Sequence, residues 1–561
     1  LVVHFTSADL NGIWDQFETW RRTQAVSDPV IRWLRVDWVT RTWALNWGQC
    51  QLAIRSSKRN YFRYGLAFDP DFSQAFLEQE LNANAMLYLG NDRPNGGLNR
   101  KNSGIYGRRR FGDDFHLPNA STDPVCLFST DAFLIQPDAP PIPLNGFSGG
   151  TEGRDTGRRR IDSLDTATVE SIVDQSSRFL AAQVDANGKF VYGMHPCFDR
   201  EINAYNTLRH ASTIYAMLEA WEVTRDAGLK IAIDRALHLL TDSFIRQYTL
   251  HNGENVAYLL DINNEVKLGG SAVCLLALVT YTELTEDTRY LTLLEQLAQG
   301  IARIQDPETG QLTHVLNADD LSIKERFRII YYDGEAAFGL MRLYGLTKDP
   351  RWLTVVEKAF DYFIAQEHWR THDHWLSYCV NELTLHRPEE RYFRFGLQNF
   401  ANYLDFVIDR ITTFPTLLEL MMAAHKMIQR LERSEAHQHL LKHIDRDKFY
   451  RALETRAQYL LNGFFWPEVA MYFRNPKRIL GSFFIRHHAF RVRIDDVEHY
   501  LSGYVAYLKH YLRDETPSQD TIAASPGIRP KTPPPHELPM PADATLVWGG
   551  AINLGRRQHM R

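Results

Sequence analysis

The sequence predicts a mainly α protein in which residues from about 165 to about 515 close into a ring of six helical hairpins, an α/α toroid, behind an N-terminal α/β or α+β domain. Three observations predict it. Apolar helices rich in small residues recur along the chain, each is preceded by a helix with one charged face, and Pro- and Gly-rich stretches bracket the whole series.

Six segments open on a polar or Gly-containing cluster and continue as apolar helices: 206–224, 269–284, 333–346, 373–385, 414–431 and 495–512. More amphipathic helices precede them at 167–184, 231–247, 289–304, 350–366, 389–407 and 447–462. The pairing recurs at roughly 50 to 80 residues, a spacing suited to helical hairpins with loops of variable length. A helix carrying Ala, Ser, Gly and Leu around most of its circumference must be covered on most sides, whereas one with a charged stripe faces water. Six of the first kind inside six of the second make two shells. Closure in one turn leaves no exposed end, and an open stack of helical repeats is the structural alternative.

The flanks read differently. Residues 1–135 mix strand-forming runs, such as Val30 to Val39, with a helical period over Phe72 to Tyr88, and form the separate N-terminal domain. Within them Phe72 to Asn84 reads as a docking helix. Residues 136–165 turn to Pro, Gly and Arg and read as a linker or embracing loop, followed by the ring over 166–515. The tail, 516–561, is too rich in Pro for helix and is expected to run extended over the surface.

Composition narrows the function classes. A formal charge of -5 over 561 residues lacks the basic excess of a general nucleic-acid binder, and no partner of that kind is expected. No stretch of about 18 apolar residues is expected to occur, and no membrane span is expected. Five cysteines lie far apart without a CxxC pair, which predicts isolated reduced thiols, a cytoplasmic setting and no thiolate metal site. The first residues do not read as a signal peptide. The N-terminal domain carries neither a P-loop nor a GxGxxG fingerprint. No cofactor is expected, and oligomeric state is left open.

The helix alternation, the start Asp349-Pro350-Arg351-Trp352-Leu353 of an outer helix and the segment YYDGEAAFGLMRLYGLT resemble the six-hairpin toroid superfamily of carbohydrate-active enzymes. That superfamily includes glycoside hydrolases, polysaccharide lyases, uronyl epimerases and sugar 2-epimerases. The resemblance covers the ring and is one of pattern. It implies an active site in the central mouth, lined by aromatic and carboxylate groups, and carries no catalytic role onto any residue.

The residues supply candidates of their own. If all inner helices run the same way, their N-termini meet at one mouth, where free N–H groups and positive dipole ends gather. The clusters expected there are Tyr205, Asn206, Arg209 and His210, then Asp261, Asn263 and Lys267, then Tyr331, Tyr332, Asp333 and Glu335. His372, Asp373, His374 and Trp375 follow, and the sixth helix brings Arg486, His487, His488, Arg491, Arg493, Asp495, Asp496 and His499. The catalytic candidates are Glu335, Asp333, His210, Asp373, Asp495 and Tyr332. The substrate-binding candidates are Tyr205, Asn206, Arg209, His374, Trp375, Arg486, His487, Arg491, Arg493 and His499.

Plainer roles compete with these. Asp333, Asp373 and Asp495 stand where helix N-caps belong. Glu335 sits where it would complement a helix dipole, and His210 one turn into an apolar helix suits a core histidine. His487, Asp495 and His499 make a weak ligand pattern, and no metal is expected. The arginines on the expected rim point to an acidic oligo- or polysaccharide as the substrate. Hydrolysis would pair Glu335 with Asp373 or Asp495. Elimination or C5 epimerisation would use His210 or Tyr332 as base with Arg209 or Arg491 masking a uronate. A peptide-modifying or non-catalytic toroid serving as a binding scaffold is the alternative from another class.

Overall fold

The computed structural model describes residues 2–7, 9–23, 32–90, 92–147 and 153–513 and the backbone of 549–554. Six inner helices, Thr207–Thr224, Leu268–Thr285, Tyr331–Thr347, His374–His386, Thr416–Glu432 and Ile494–Tyr507, each pack against the next, and the sixth packs against the first. That last contact closes the ring and removes the open stack as an alternative. The second inner helix shows why such helices must be apolar all round: every residue from Leu268 to Thr282 is buried. By length and composition alone this helix is apolar enough to cross a membrane, which corrects the expectation that no such stretch exists; here it is enclosed by its neighbours.

Outside them lie Thr166–Ala182, Ala227–Leu239, Leu291–Arg303, Pro350–Ala365, Glu390–Ala401 with its continuation Leu404–Asp409, and Arg446–Leu460. Their starts are written locally. Asp165, Asp226, Asp349 and Asp445 each accept a backbone N–H of the first turn, and Pro350 occupies a position where its missing N–H costs nothing. In Pro350–Ala365 the buried set Trp352, Leu353, Val356, Ala359, Phe360 and Phe363 is one stripe at helical spacing, and the other face meets water.

Two outer segments depart from the sequence expectation. The helix expected over 231–247 stops at Leu239, passes through a wide turn at Leu240–Phe244 and becomes the strand Ile245–Thr249. That strand begins a five-stranded antiparallel sheet continued by Asn255–Asp261, Glu265–Lys267, Val315–Asn317 and Ile323–Glu325. Its turns use Gly253 and Asn264, both at positive φ, so the turn signal was present in sequence. The helix expected over 389–407 is broken between Ala401 and Leu404.

The N-terminal domain is α+β, because its strands pair antiparallel throughout. In spatial order they are Val2–Thr6, Gly549–Leu554, Leu34–Asn46, Pro124–Ile135, Gly65–Ala67 and Ala75–Phe76, with Ile142–Leu144 also pairing with Pro124–Ile135. A core of its own gathers Trp47, Phe62, Phe76 and Phe115. The expected tail lies outside the described residues except for Gly549–Leu554, which is extended and built into this sheet.

Buried polar contacts join this domain to the ring. The expected docking helix is only Glu78–Ala83, entirely buried, and Glu78 stands 3.5 Å from Arg63 and 3.4 Å from Arg486. Asn60 donates to the Arg486 carbonyl at 2.7 Å and receives the Arg486 guanidinium on its own carbonyl at 3.1 Å. Within the segment read as a linker, Arg159 pairs with Glu468 at 2.9 Å and Arg158 donates to Asn462 at 2.7 Å.

Candidate active site at the ring mouth

The N-terminal ends of the inner helices meet at one end of the ring, as contacts between successive helices record. Glu335 of the third lies over Gly269 of the second, where a Cβ would come within 2.0 Å of Glu335 Oε2. Gly334 abuts Trp375 and Leu376 of the fourth, Glu419 of the fifth meets His499 of the sixth, and Arg209 of the first meets Asp495 of the sixth.

Glu335 is held as a buried acid at the mouth. It is 5% exposed, its Oε2 has no hydrogen-bond partner, and burial together with the nearby Asp373 charge pushes its carboxyl up to about 8. At neutral pH it is therefore protonated. Tyr332, beside it and 8% exposed, has its phenol raised to about 12 by burial and by the Glu335 charge, so it is a neutral donor rather than a base. Tyr331 is exposed and offers an aromatic edge at the opening, with its ring 5.8 Å from that of His374. Asp333 does not cap the helix; it lies inside the first turn, buried, 3.3 Å from His314 Nε2.

Three helices place a second group beside it. Asp373 caps the fourth inner helix by accepting the Leu376 N–H at 2.9 Å, and its other oxygen stands 3.2 Å from His374 Nδ1. The far nitrogen of that ring, Nε2, is buried without a hydrogen-bond partner and lies 4.0 Å from Glu419 Oε2. His499 faces His374 edge-on with ring centres 5.3 Å apart and is 2.9 Å from Glu419. Burial opposes the charge on His499, but Glu419 overrides it and lifts the imidazolium to about 10. Glu498, beside it and buried, is pushed up to about 8 by burial and carries an unpartnered oxygen. His374, Glu419 and His499 are also close enough together to serve as metal ligands, though the Glu419–His499 pair already satisfies two of them internally.

The basic stretch before the sixth helix does less at the rim than its composition promised. Arg209 holds Asp495 at 2.8 Å, Arg493 reaches Asp495 at 3.0 Å and Asp496 at 2.9 Å, and Arg491 reaches Asp496 at 3.3 Å. Neither aspartate caps the helix, which starts at Ile494 with Arg493 before it. Burial and Asp496 raise Asp495, while Arg493 and Arg491 overcome burial to hold Asp496 down.

Several candidates lie elsewhere. His210 is fully buried and spends both nitrogens, one on the Tyr205 hydroxyl at 2.7 Å and one on the Ala236 carbonyl at 2.9 Å; burial lowers it to about 4. It ties the first inner helix to an outer one, and Tyr205 serves it. Asn206 is the N-cap, accepting the Arg209 N–H at 3.0 Å. Trp375 is buried against Phe338 and Tyr378 and is part of the wall. Arg486 and His487 belong to the seam with the N-terminal domain: Arg486 reaches Asn60 and Glu78, and the His487 carbonyl takes the Arg59 side chain. Burial and the neighbouring His488 drive His487 down to about 3.

Sequence reading missed Glu419, Glu498 and His314. The signal for Glu419 was a lone acid inside the apolar run Thr416-Leu417-Leu418-Glu419-Leu420-Met421-Met422, where a carboxylate must face a polar interior or go unpaired. His314 was hidden because it stands just before the strand Val315–Asn317, in a stretch to which the sequence reading assigned no element.

No family model matches the chain, and no curated protein matches it. Solved structures that it is similar to include a D-mannose isomerase (13% identity, 61% of this chain and 97% of that one, TM-score 0.47). A cellobiose 2-epimerase from Bacillus thermoamylovorans (12%, 61% and 99%, 0.46) and an unsaturated glucuronyl hydrolase from Streptococcus agalactiae (12%, 62% and 94%, 0.45) are also among them. Likeness at this level carries no functional argument, and the toroid stands on the closure of its own six inner helices.

Proposed function

We propose that the mouth is the active site of an enzyme that acts on a saccharide by moving a proton to or from carbon. The observation that carries this reading is His374: a buried imidazole nitrogen without a partner, with its other nitrogen 3.2 Å from Asp373 Oδ1, an oxygen that has no hydrogen-bond partner, and Asp373 is the carboxylate whose charge also acts on the protonated Glu335. His374 Nε2 takes a proton from the carbon next to a carbonyl or carboxyl group, and Asp373 stabilises the imidazolium that forms. Glu335 gives its proton to the oxygen on which charge develops. Delivery of a proton to the other face by a second donor, for which the charged His499 imidazolium is at hand, gives an epimer; loss of a neighbouring oxygen substituent gives elimination. Hydrolysis is less well served, because one Asp373 oxygen is committed to the helix cap and Asp495 to two arginines.

A uronate is the second reading of the substrate. It keeps the support of Arg209, Arg491 and Arg493, whose side chains remain 31%, 20% and 19% exposed, but Asp495 and Asp496 already answer their charge. Neutral reducing sugars and uronate oligosaccharides incubated with the protein in D2O and read by NMR test both readings. Deuterium on carbon supports proton transfer. New reducing ends without it show hydrolysis, and no turnover of either class favours a scaffold.

A further inference from the structure

The other end of the ring holds a second polar chamber, joined to the mouth through Tyr378 and Glu419. It encloses about 420 Å3 between the C-terminal halves of all six inner helices. Phe338 and Tyr378, stacked at 5.4 Å and 18°, form one wall of it, and the Tyr378 hydroxyl reaches toward the mouth to donate to Glu419 at 3.3 Å. Acids and bases alternate around the chamber. Lys509 pairs with Glu222 at 2.6 Å, Arg342 pairs with Glu283, and Glu219 accepts from Ser502 at 2.6 Å and Tyr215 at 2.8 Å.

Other groups lining the space make no direct polar contact. Among the described residues Lys426 and Glu382 form no hydrogen bond or ion pair. Thr280 and Asn381, 5% and 1% exposed, leave Oγ1 and Oδ1 without partners. Such groups are costly inside a helical ring unless a ligand or water meets them. Burial also lowers the Lys426 amine and raises the Glu219 carboxyl to about 7, the direction expected of a chamber withdrawn from bulk solvent.

We propose that this chamber is a second binding site, for a small neutral saccharide. A ligand of either net charge meets a like charge, because Lys426 and Glu382 face the same space with Glu219 beyond them. Hydroxyl groups donate and accept at once, so one sugar ring satisfies Lys426, Glu382, Thr280 and Asn381 together. The aromatic wall suits the C–H face of a pyranose, and the volume falls in the usual range for small-molecule pockets, about 300–1,000 Å3. This inference does not rest on the chemistry assigned to the mouth.

The test is calorimetric titration of the full chain with glucose, mannose and cellobiose, and separately with L-glutamate as a zwitterion. Titrations are repeated in Glu335→Gln, Lys426→Met and Glu382→Gln. A saccharide binding event that survives Glu335→Gln and weakens at least tenfold in both chamber variants, with melting temperatures near that of the wild type, is expected. Saccharide binding untouched by the chamber variants, binding of L-glutamate in place of sugar, or no binding by any of these probes overturns the proposal. Loss of turnover in Glu335→Gln with chamber binding intact separates this site from the mouth.

Discussion

Glu335 and His210 are two titratable residues at similar helix positions that the fold holds in different ways. Both stand near the start of an inner helix, but Glu335 keeps an unpartnered oxygen at the mouth and His210 spends both nitrogens on the fold. Glu335→Gln keeps the size of the side chain and removes the proton donor, so turnover is expected to fall roughly 10²-fold or more. Melting scans against pH check the rest. The raised Glu335 carboxyl contributes stability present below its ordinary value of 4.5 and lost as pH rises through about 8, so the variant should melt with a flatter profile across that window. His210 has the opposite sign of dependence. Its folded value, lowered to about 4, contributes stability present above 6.5 and lost as pH falls toward 4. His210→Ala should cost about 2–4 kcal/mol through two lost hydrogen bonds and a void, with activity following the folded fraction in a combined melt and rate assay.

At the scale of elements, the six inner helices were legible because full apolarity and small residues leave a helix nowhere to go but inside. Their ends were less so: Asp333 and Asp495 looked like caps, yet only Asp373 is one, since the third and sixth helices begin earlier than their acids. The sheet from Ile245 to Glu325 escaped because its strands are short and its first is continuous with a helical pattern. Small residues between helices are where an element meets the site. Gly269→Ala should favour the helix by up to about 1 kcal/mol on propensity alone, yet its Cβ would lie 2.0 Å from Glu335 Oε2 and 2.4 Å from Tyr332 Cδ1. The expected outcome is a fall in kcat of at least tenfold with a change of no more than a few degrees in Tm, measured by steady-state kinetics beside thermal unfolding. A drop in Tm with kcat per folded molecule unchanged would place Glu335 outside the chemistry.

For the whole molecule, the ring and the presence of an N-terminal domain could be read from the sequence, while the division of labour among its charges could not. Arginine and histidine density between Arg486 and Arg493 pointed to a substrate; the structure spends Arg486 on the N-terminal domain and sets Arg491 and Arg493 against Asp495 and Asp496. Pairing partners of this kind come from sites as far apart as Glu78 and Arg486, and no local pattern announces them. Arg486→Met should leave Glu78 with Arg63 as its one charged partner, beside the Asn82 amide that donates to it at 2.7 Å, and cost about 3 kcal/mol, read as earlier melting and faster proteolysis at the domain seam. Acidic glycans should gain no more than a few-fold over neutral ones in competition, and that gain should fade with salt, because the rim arginines are already paired. The central claim is that His374 moves a proton at carbon inside the mouth. Its most direct test is the rate of deuterium uptake from D2O into a saccharide by the wild type and by His374→Gln. Carbon-bound deuterium with the wild type and at least a 10²-fold slower uptake in the variant at near-native Tm are expected. Turnover without carbon-bound deuterium, or an undiminished rate in His374→Gln, would contradict the claim.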